Sequence, residues 1–206
     1  KDFDGTPGEK AYLLGFRLGD LHIRRRGYVI GVGGGTTKKD QVILFKNLFK
    51  RYGNVYIGNQ DKRSAWHPAV NLNNSFDFLL PKHKTIPNWI MTKRQTFLSF
   101  LAGYTDAEGN IGCYPRARLK IASYDYALLK GLRRGIKKFF HIDSRLWMEK
   151  TDRRTHNKDT LSLIINSAEP LFRLLNILGP KLRHRKRKQD YLRTIKTLYP
   201  RLHIRE

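Results

Sequence analysis

Two stretches decide the fold: Leu13-Leu14-Gly15-Phe16-Arg17-Leu18-Gly19-Asp20-Leu21 and Leu101-Ala102-Gly103-Tyr104-Thr105-Asp106-Ala107-Glu108-Gly109. They are two versions of one nine-residue pattern. Each reads as a helix with small residues four positions apart, Gly15 and Gly19 in the first copy and Gly103 and Ala107 in the second. Residues four apart share one face of a helix. A face without side chains lets another backbone come close, so the two helices are expected to pack on each other about a pseudo-twofold axis. Each copy then ends in a carboxylate, Asp20 or Glu108, and the two acids should emerge together at the end of the seam.

Such an arrangement is unfavourable by itself. The helix dipole disfavours an acid at a helix C-terminus, and two neighbouring carboxylates repel. A divalent cation relieves both effects. Hard oxygen ligands select Mg²⁺, with Ca²⁺ or Mn²⁺ able to take its place. A cation held by few protein oxygens keeps positions for water and phosphate, the arrangement of metal-assisted phosphodiester hydrolysis. Taken singly, either acid reads as a surface helix-end residue. Their matched position in both copies favours the metal reading.

Outward from each motif the chain repeats itself. In the first half, strand-like runs at 28–32 and 54–58 flank an amphipathic stretch at 41–52. In the second, runs at 118–122 and 145–148 flank one at 126–140. Each half adds a strand (69–72, then 161–165) and a helix (76–80, then 170–175). The expected fold class is α+β, with two pseudo-symmetric αββαββα halves. The halves are expected at residues 1–90 and 91–206, joined through the proline- and lysine-bearing stretch 81–96.

Composition narrows the partner. The chain of 206 residues carries 41 Lys+Arg against 17 Asp+Glu, a formal net charge of +24. Such an excess favours nucleic acid. No apolar run is long enough to span a bilayer, and no membrane partner is expected. Cys113 is the lone cysteine, which excludes an intrachain disulfide framework and a multi-cysteine zinc site. A reducing compartment follows. With no secretory signal read at the start, the expectation is an intracellular protein of a prokaryotic cytoplasm or an organelle. The seven histidines show no ligand spacing. The run Gly31-Val32-Gly33-Gly34-Gly35 lacks the spacing of a nucleotide-binding loop and reads as a flexible strand end or bulge close to a ligand backbone.

The repeated pattern resembles the signature of the LAGLIDADG homing endonuclease family in its single-chain, two-motif form. The second copy is close to the family's nine letters. The first departs from them at Leu14, where alanine is usual, at Leu18, where an acid is usual, and at Leu21, where glycine is usual. The eighth position carries the family's metal-binding acid, here Asp20 and Glu108. The resemblance spans about residues 11–198. It implies a saddle of antiparallel sheets lying in the DNA major groove, with the motif helices at the interface. It implies a monomer that cuts a long, non-palindromic double-stranded DNA target with divalent metal, leaves short 3′ overhangs and starts intron homing. The alternative it carries is a non-cleaving nucleic-acid binder, such as an intron RNA maturase. It further implies a basic residue near the scissile phosphate, ahead of the last helix. Local match selects Lys186, with Lys188 next and Lys93 in the first half.

Strand alternation directs Arg116, Arg118 and Lys120 to one sheet face, leaving Leu119 and Ile121 for the core. Arg24, Arg25 and Arg26 follow the first motif in the same way. Arginine and lysine pair with guanine edges and asparagine and glutamine with adenine, so Asn59, Gln60, Asn71 and Asn73 are further candidate readers. For each of these residues, solvated or phosphate-contacting roles stay open.

Overall fold

The computed structural model describes residues 1–58, 60, 61, 64–113, 115–150 and 159–203. Helix α1 (Pro7–Asp20) starts at a capping box. Glu9 N donates to Thr6 Oγ1 (3.2 Å) and Thr6 N to Glu9 Oε2 (2.8 Å), while Pro7 occupies the first helical turn, where its missing N–H costs nothing. Helix α3 (Arg94–Glu108) carries the second motif. The two helices touch through their backbones. A Cβ added at Gly15 would lie 2.2 Å from Phe100 O, one at Gly103 would lie 2.1 Å from Tyr12 O, and one at Gly19 would lie 2.4 Å from Ala107 Cβ. No residue larger than glycine fits at Gly15 or Gly103 without moving a helix. The seam predicted from the small-residue spacing is the centre of the molecule.

Each motif helix runs straight into a sheet. Strands β1 (His22–Arg26), β2 (Val29–Gly33), β3 (Val55–Ile57) and β4 (Pro68–Leu72) form one, in the order β1-β2-β4-β3. Strands β5 (Gly109–Gly112), β6 (Arg118–Ser123), β7 (Arg145–Glu149) and β8 (Thr160–Ile165) form the other, in the order β5-β6-β8-β7. Every pairing is antiparallel, and the shared order makes the halves pseudo-symmetric. One face of each sheet is apolar and covered. Helix α2 (Lys39–Phe49) lies against β3 and β4, and α4 (Tyr126–Phe140) against β6 and β8. Ile30, Val32, Val70 and Leu72 from one sheet and Leu119, Ile121, Leu163 and Ile165 from the other belong to one continuous core. Each such fully buried side chain stabilises the fold by about 1.5–3 kcal/mol. The opposite faces are open.

Four details differ from expectation or narrow it. The segment at 76–80 forms a 3-10 helix, Asn74–Leu79, rather than an α-helix. Strand β5 was not predicted, because Gly-Asn-Ile-Gly has little strand propensity. The sequence's most basic run, residues 181–188, holds Lys186 and Lys188, which the resemblance places ahead of the last helix. After α5 (Ala168–Leu178), helix α6 (Arg185–His203) begins inside that run, so Lys186, Arg187 and Lys188 lie in its first turns. Of the two readings of the glycine-rich run, strand end or bulge, the structure shows the strand end: β2 pairs regularly through Gly33 and stops there. An added Cβ there would lie 2.8 Å from His22 Nε2, so the bare position accommodates the histidine ring.

Candidate functional site

The seam delivers both motif acids to one place. An added Cβ at Gly19 would lie 2.9 Å from Glu108 Cγ and 3.5 Å from Glu108 Oε1, so the Glu108 carboxyl lies over the residue that precedes Asp20. Asp20 is exposed at the rim and Glu108 is half-buried. Asp20 accepts a hydrogen bond from Gln41 Nε2 of α2. Although the residue reaches the rim, surrounding protein atoms displace water from the Asp20 carboxyl and push it up to about 6, against the Gln41 hydrogen bond and the cations Arg187 and Lys38. Glu108 is pushed up to about 7, first by burial and then by the charges of Asp20 and Asp125, with Arg187 opposing. Both ionised forms are therefore disfavoured where they stand, as the helix-end argument required.

Asp20 lines a small cleft of about 110 Å³ together with Lys38, Gln41, Ala107, His184, Lys186 and Arg187. Lys186, selected from the sequence, reaches this cleft, but its Nζ is paired with Asp190 Oδ2 at 2.5 Å one turn on. Arg187, which sequence reasoning missed, is the cation whose charge acts on Asp20, Asp106 and Glu108. Its Nε is buried without a hydrogen-bond partner among the described residues. Lys188 is exposed and lies two residues beyond Lys186, about 200° around the helix, so the two do not share a face. Lys93 caps the opposite end of α3, one helix length or about 22 Å from Glu108, and the structure does not bring it to the acids.

Asp106 sets where α6 begins. It is buried and accepts from Tyr12 Oη (2.5 Å), Arg183 N (2.6 Å) and His184 N (3.2 Å). Burial pushes its carboxyl up, opposed by these three hydrogen bonds and by Arg187. One side chain thus joins both motif helices to the chain entering α6. Beside it, His184 is pushed down to about 4 by burial and by the neighbouring Arg187 charge, which keeps its imidazole neutral at pH 7. The sequence signal for Asp106 was present: it stands at the motif's sixth letter, an acid in the second copy, where the first copy has Leu18.

The donor set fits a hydrated divalent cation. Among the described residues no cluster of three or more His, Cys, Asp or Glu could form an all-protein cage. Two carboxylates with open space beside them suit an ion that shares its shell with water and phosphate.

The open sheet faces carry the other candidates. In β1, Arg24 and Arg26 alternate with Ile23 and lie on the open face with His22 and Asn71. Arg25 points the other way, as the period of two requires, and its Nη1 donates to Asn74 Oδ1 at 3.0 Å. The three arginines are therefore not one stripe. Asn73 is a helix cap: its Oδ1 accepts from Ser75 N at 3.1 Å and its Nδ2 donates to Asp2. Gln60 donates from Nε2 to Ser64 O at 3.3 Å in an exposed loop, and Asn59 lies outside the described residues. On the second sheet Arg118 and Lys120 share the open face, with Lys120 Nζ paired to Glu149 Oε1 at 2.5 Å. Arg116 is exposed in the bend before β6. Asn110, Arg145 and the 58 % exposed Trp147 complete this face and were not selected from the sequence. On the first sheet Tyr56, paired with Ala69 and 69 % exposed, has the same standing.

No family model matches the chain, and no curated protein matches it. Solved structures do. Full-length DUF199/WhiA from Thermatoga maritima aligns with a TM-score of 0.61 at 17% identity, over 98% of this chain and 62% of that one. The chain thus spans less than two thirds of that protein. Mesophilic variants of the homing endonuclease I-DmoI align with a TM-score of 0.61 at 18% identity, over 84% of this chain and 90% of theirs. I-DmoI has also been solved in complex with DNA and Mn or Ca. The homing endonuclease I-WcaI, bound to its DNA recognition sequence, aligns with a TM-score of 0.61 at 14% identity, over 90% of this chain and 86% of its own. At these identities the likeness is one of fold. The chain has the LAGLIDADG fold, two pseudo-symmetric α+β halves paired along their motif helices.

Proposed function

We propose that the chain is a site-specific endonuclease for double-stranded DNA. The observation that carries this reading is the convergence of Asp20 and Glu108 at the end of the seam, each held where its ionised form is disfavoured. A bound divalent cation accounts for such a pair. The neighbours solved with DNA, some with Mn or Ca, support the same reading. Asp20 and Glu108 are the residues that would hold Mg²⁺, with Mn²⁺ or Ca²⁺ as substitutes. When bound there, the ion supplies positive charge to the phosphate and a more acidic water.

The remaining roles belong to the chain itself. Gln41 orients the Asp20 carboxylate through its amide. Arg187 acts on both acids from α6, and its charge would stabilise negative charge developing on a phosphate held there. Lys186 adds a second cation at the cleft. Arg24, Arg26 and Asn71 on one sheet, and Arg118 and Lys120 on the other, contact the DNA. We place the division of the halves near residue 90. Each half presents its own set of side chains, so a single chain would act as a monomer on a target that need not be palindromic. Short 3′ overhangs, intron homing and an intracellular setting complete the proposal.

Incubation with a randomised DNA library and Mg²⁺, followed by sequencing of the cut ends, tests it. Wild type should enrich one long site and linearise a plasmid that carries it. Asp20→Asn and Glu108→Gln should bind that plasmid equally and leave it uncut. Tight, sequence-selective binding by wild type without cutting, in Mg²⁺ or Mn²⁺, would instead establish a non-cleaving binder, such as an intron RNA maturase.

A further inference from the structure

Away from the open sheet faces, α4 carries a second concentration of positive charge. Lys130, Arg133, Arg134, Lys137 and Lys138 stand at i, i+3, i+4, i+7 and i+8, which is one face of the helix, and all are exposed. The other face, with Leu128, Leu132 and Ile136, is buried against the sheet. The cations therefore project from the side of the second half opposite to Arg118, Lys120 and Trp147. They line a groove of about 710 Å³ whose other wall includes Thr85 and Ser144.

Two features set this groove apart from an ordinary solvated helix face. The first is its uncompensated charge. An ordinary protein surface intersperses both signs, and like charges at i,i+4 destabilise a helix. Here Asp143, bound to Lys137 Nζ at 2.7 Å, is the single acid lining the groove among the described residues, and Lys138 Nζ donates to Met91 O at 2.9 Å. The second is Ser144. It lines the groove, is 6 % exposed, and its hydroxyl has no partner among the described residues.

We infer that this groove is a second nucleic-acid site, one that takes the phosphodiester backbone. Five cations spread over eight residue steps of helix cover about 12 Å. That length matches about three to four phosphates of one strand at 3.4 Å each. Nothing in the groove offers shaped readout of bases, so binding is independent of sequence. The site lets one chain hold a second segment of nucleic acid while the open faces hold the first. It does not depend on whether the chain cuts DNA.

Native mass spectrometry at low ionic strength, with the full chain and an excess of a short DNA duplex, counts the segments directly. Wild type should carry two duplexes. The triple variant Lys130→Gln, Arg133→Gln, Arg134→Gln should carry one, and so should Arg24→Gln, Arg26→Gln, Arg118→Gln. The pair Arg133→Lys, Arg134→Lys keeps the charge and should carry two, which separates lost charge from a damaged helix. A parallel run with an RNA hairpin in place of the second duplex shows which nucleic acid the groove holds more tightly. The inference is overturned if wild type carries one segment of either kind, or if the groove triple variant still carries two. Retention of two duplexes by the open-face variant would count against the proposed cutting face and leave the groove standing.

Discussion

Replacing Glu108 by glutamine should stabilise the metal-free protein at pH 8. Its carboxyl is raised from 4.5 to about 7, chiefly by burial and then by the negative charges of Asp20 and Asp125. At 1.36 kcal/mol per pH unit, that amounts to about 3 kcal/mol of disfavoured ionisation. Glu108 is only half-buried, so water at the rim screens part of it and leaves about 1–2 kcal/mol. The sign follows from linkage. A carboxyl with a raised folded pKa binds more protons in the native state than in the unfolded state, so stability falls as pH rises through that window. Below pH 4.5 the side chain is neutral in both states and Glu108→Gln should match wild type. Between there and pH 7 the variant should pull ahead, and at pH 8 its full advantage should be present. For a chain of this size the gain is about 2–8 °C in Tm. Thermal melts from pH 4 to pH 8 in EDTA measure it. Millimolar Mg²⁺ should then stabilise wild type at pH 8 and not the variant, closing or reversing the gap. If Glu108→Gln is less stable than wild type at pH 8 in EDTA, or if the gap does not grow with pH, the carboxylate is not disfavoured and the reasoning fails.

Three further outcomes follow from the packing and the open faces. Gly103→Ala places a Cβ 2.1 Å from Tyr12 O, which forces the helices apart and should cost about 3 kcal/mol, read as a lower urea midpoint with an unchanged slope. Tyr12→Phe removes the 2.5 Å donor to the buried Asp106 carboxylate and should cost about 2 kcal/mol by the same assay; an unchanged midpoint would mean that Asp106 does not tie α6 to α1. Arg118→Gln should lower the slope of log binding constant against log salt by about 1, whereas Arg25→Gln, turned to the other face and bound to Asn74, should leave that slope alone.

What could be read without coordinates was whatever repeats at short range. The spacing of Gly15 with Gly19 and of Gly103 with Ala107 names a helix face, and the close contact of α1 with α3 follows from it. The acids at the motif ends followed too, because their place is counted along one helix. Alternation in β6 put Leu119 and Ile121 inward and Arg118 and Lys120 outward. The same alternation, applied strictly to β1, would have turned Arg25 away from Arg24 and Arg26. Tertiary structure decided the rest. A helix turns by about 100° per residue, so the choice between Lys186 and Arg187 as the cation facing the acids depends on the rotation of α6. That rotation is held by Asp106, which binds the backbone N–H groups of Arg183 and His184 from 77 and 78 residues away. Bonds between such distant positions leave no periodic trace along the chain, and neither does the diversion of Asn73 into a helix cap closed by Asp2. Local pattern set which faces exist, and long-range hydrogen bonds set which side chains those faces bring to the site.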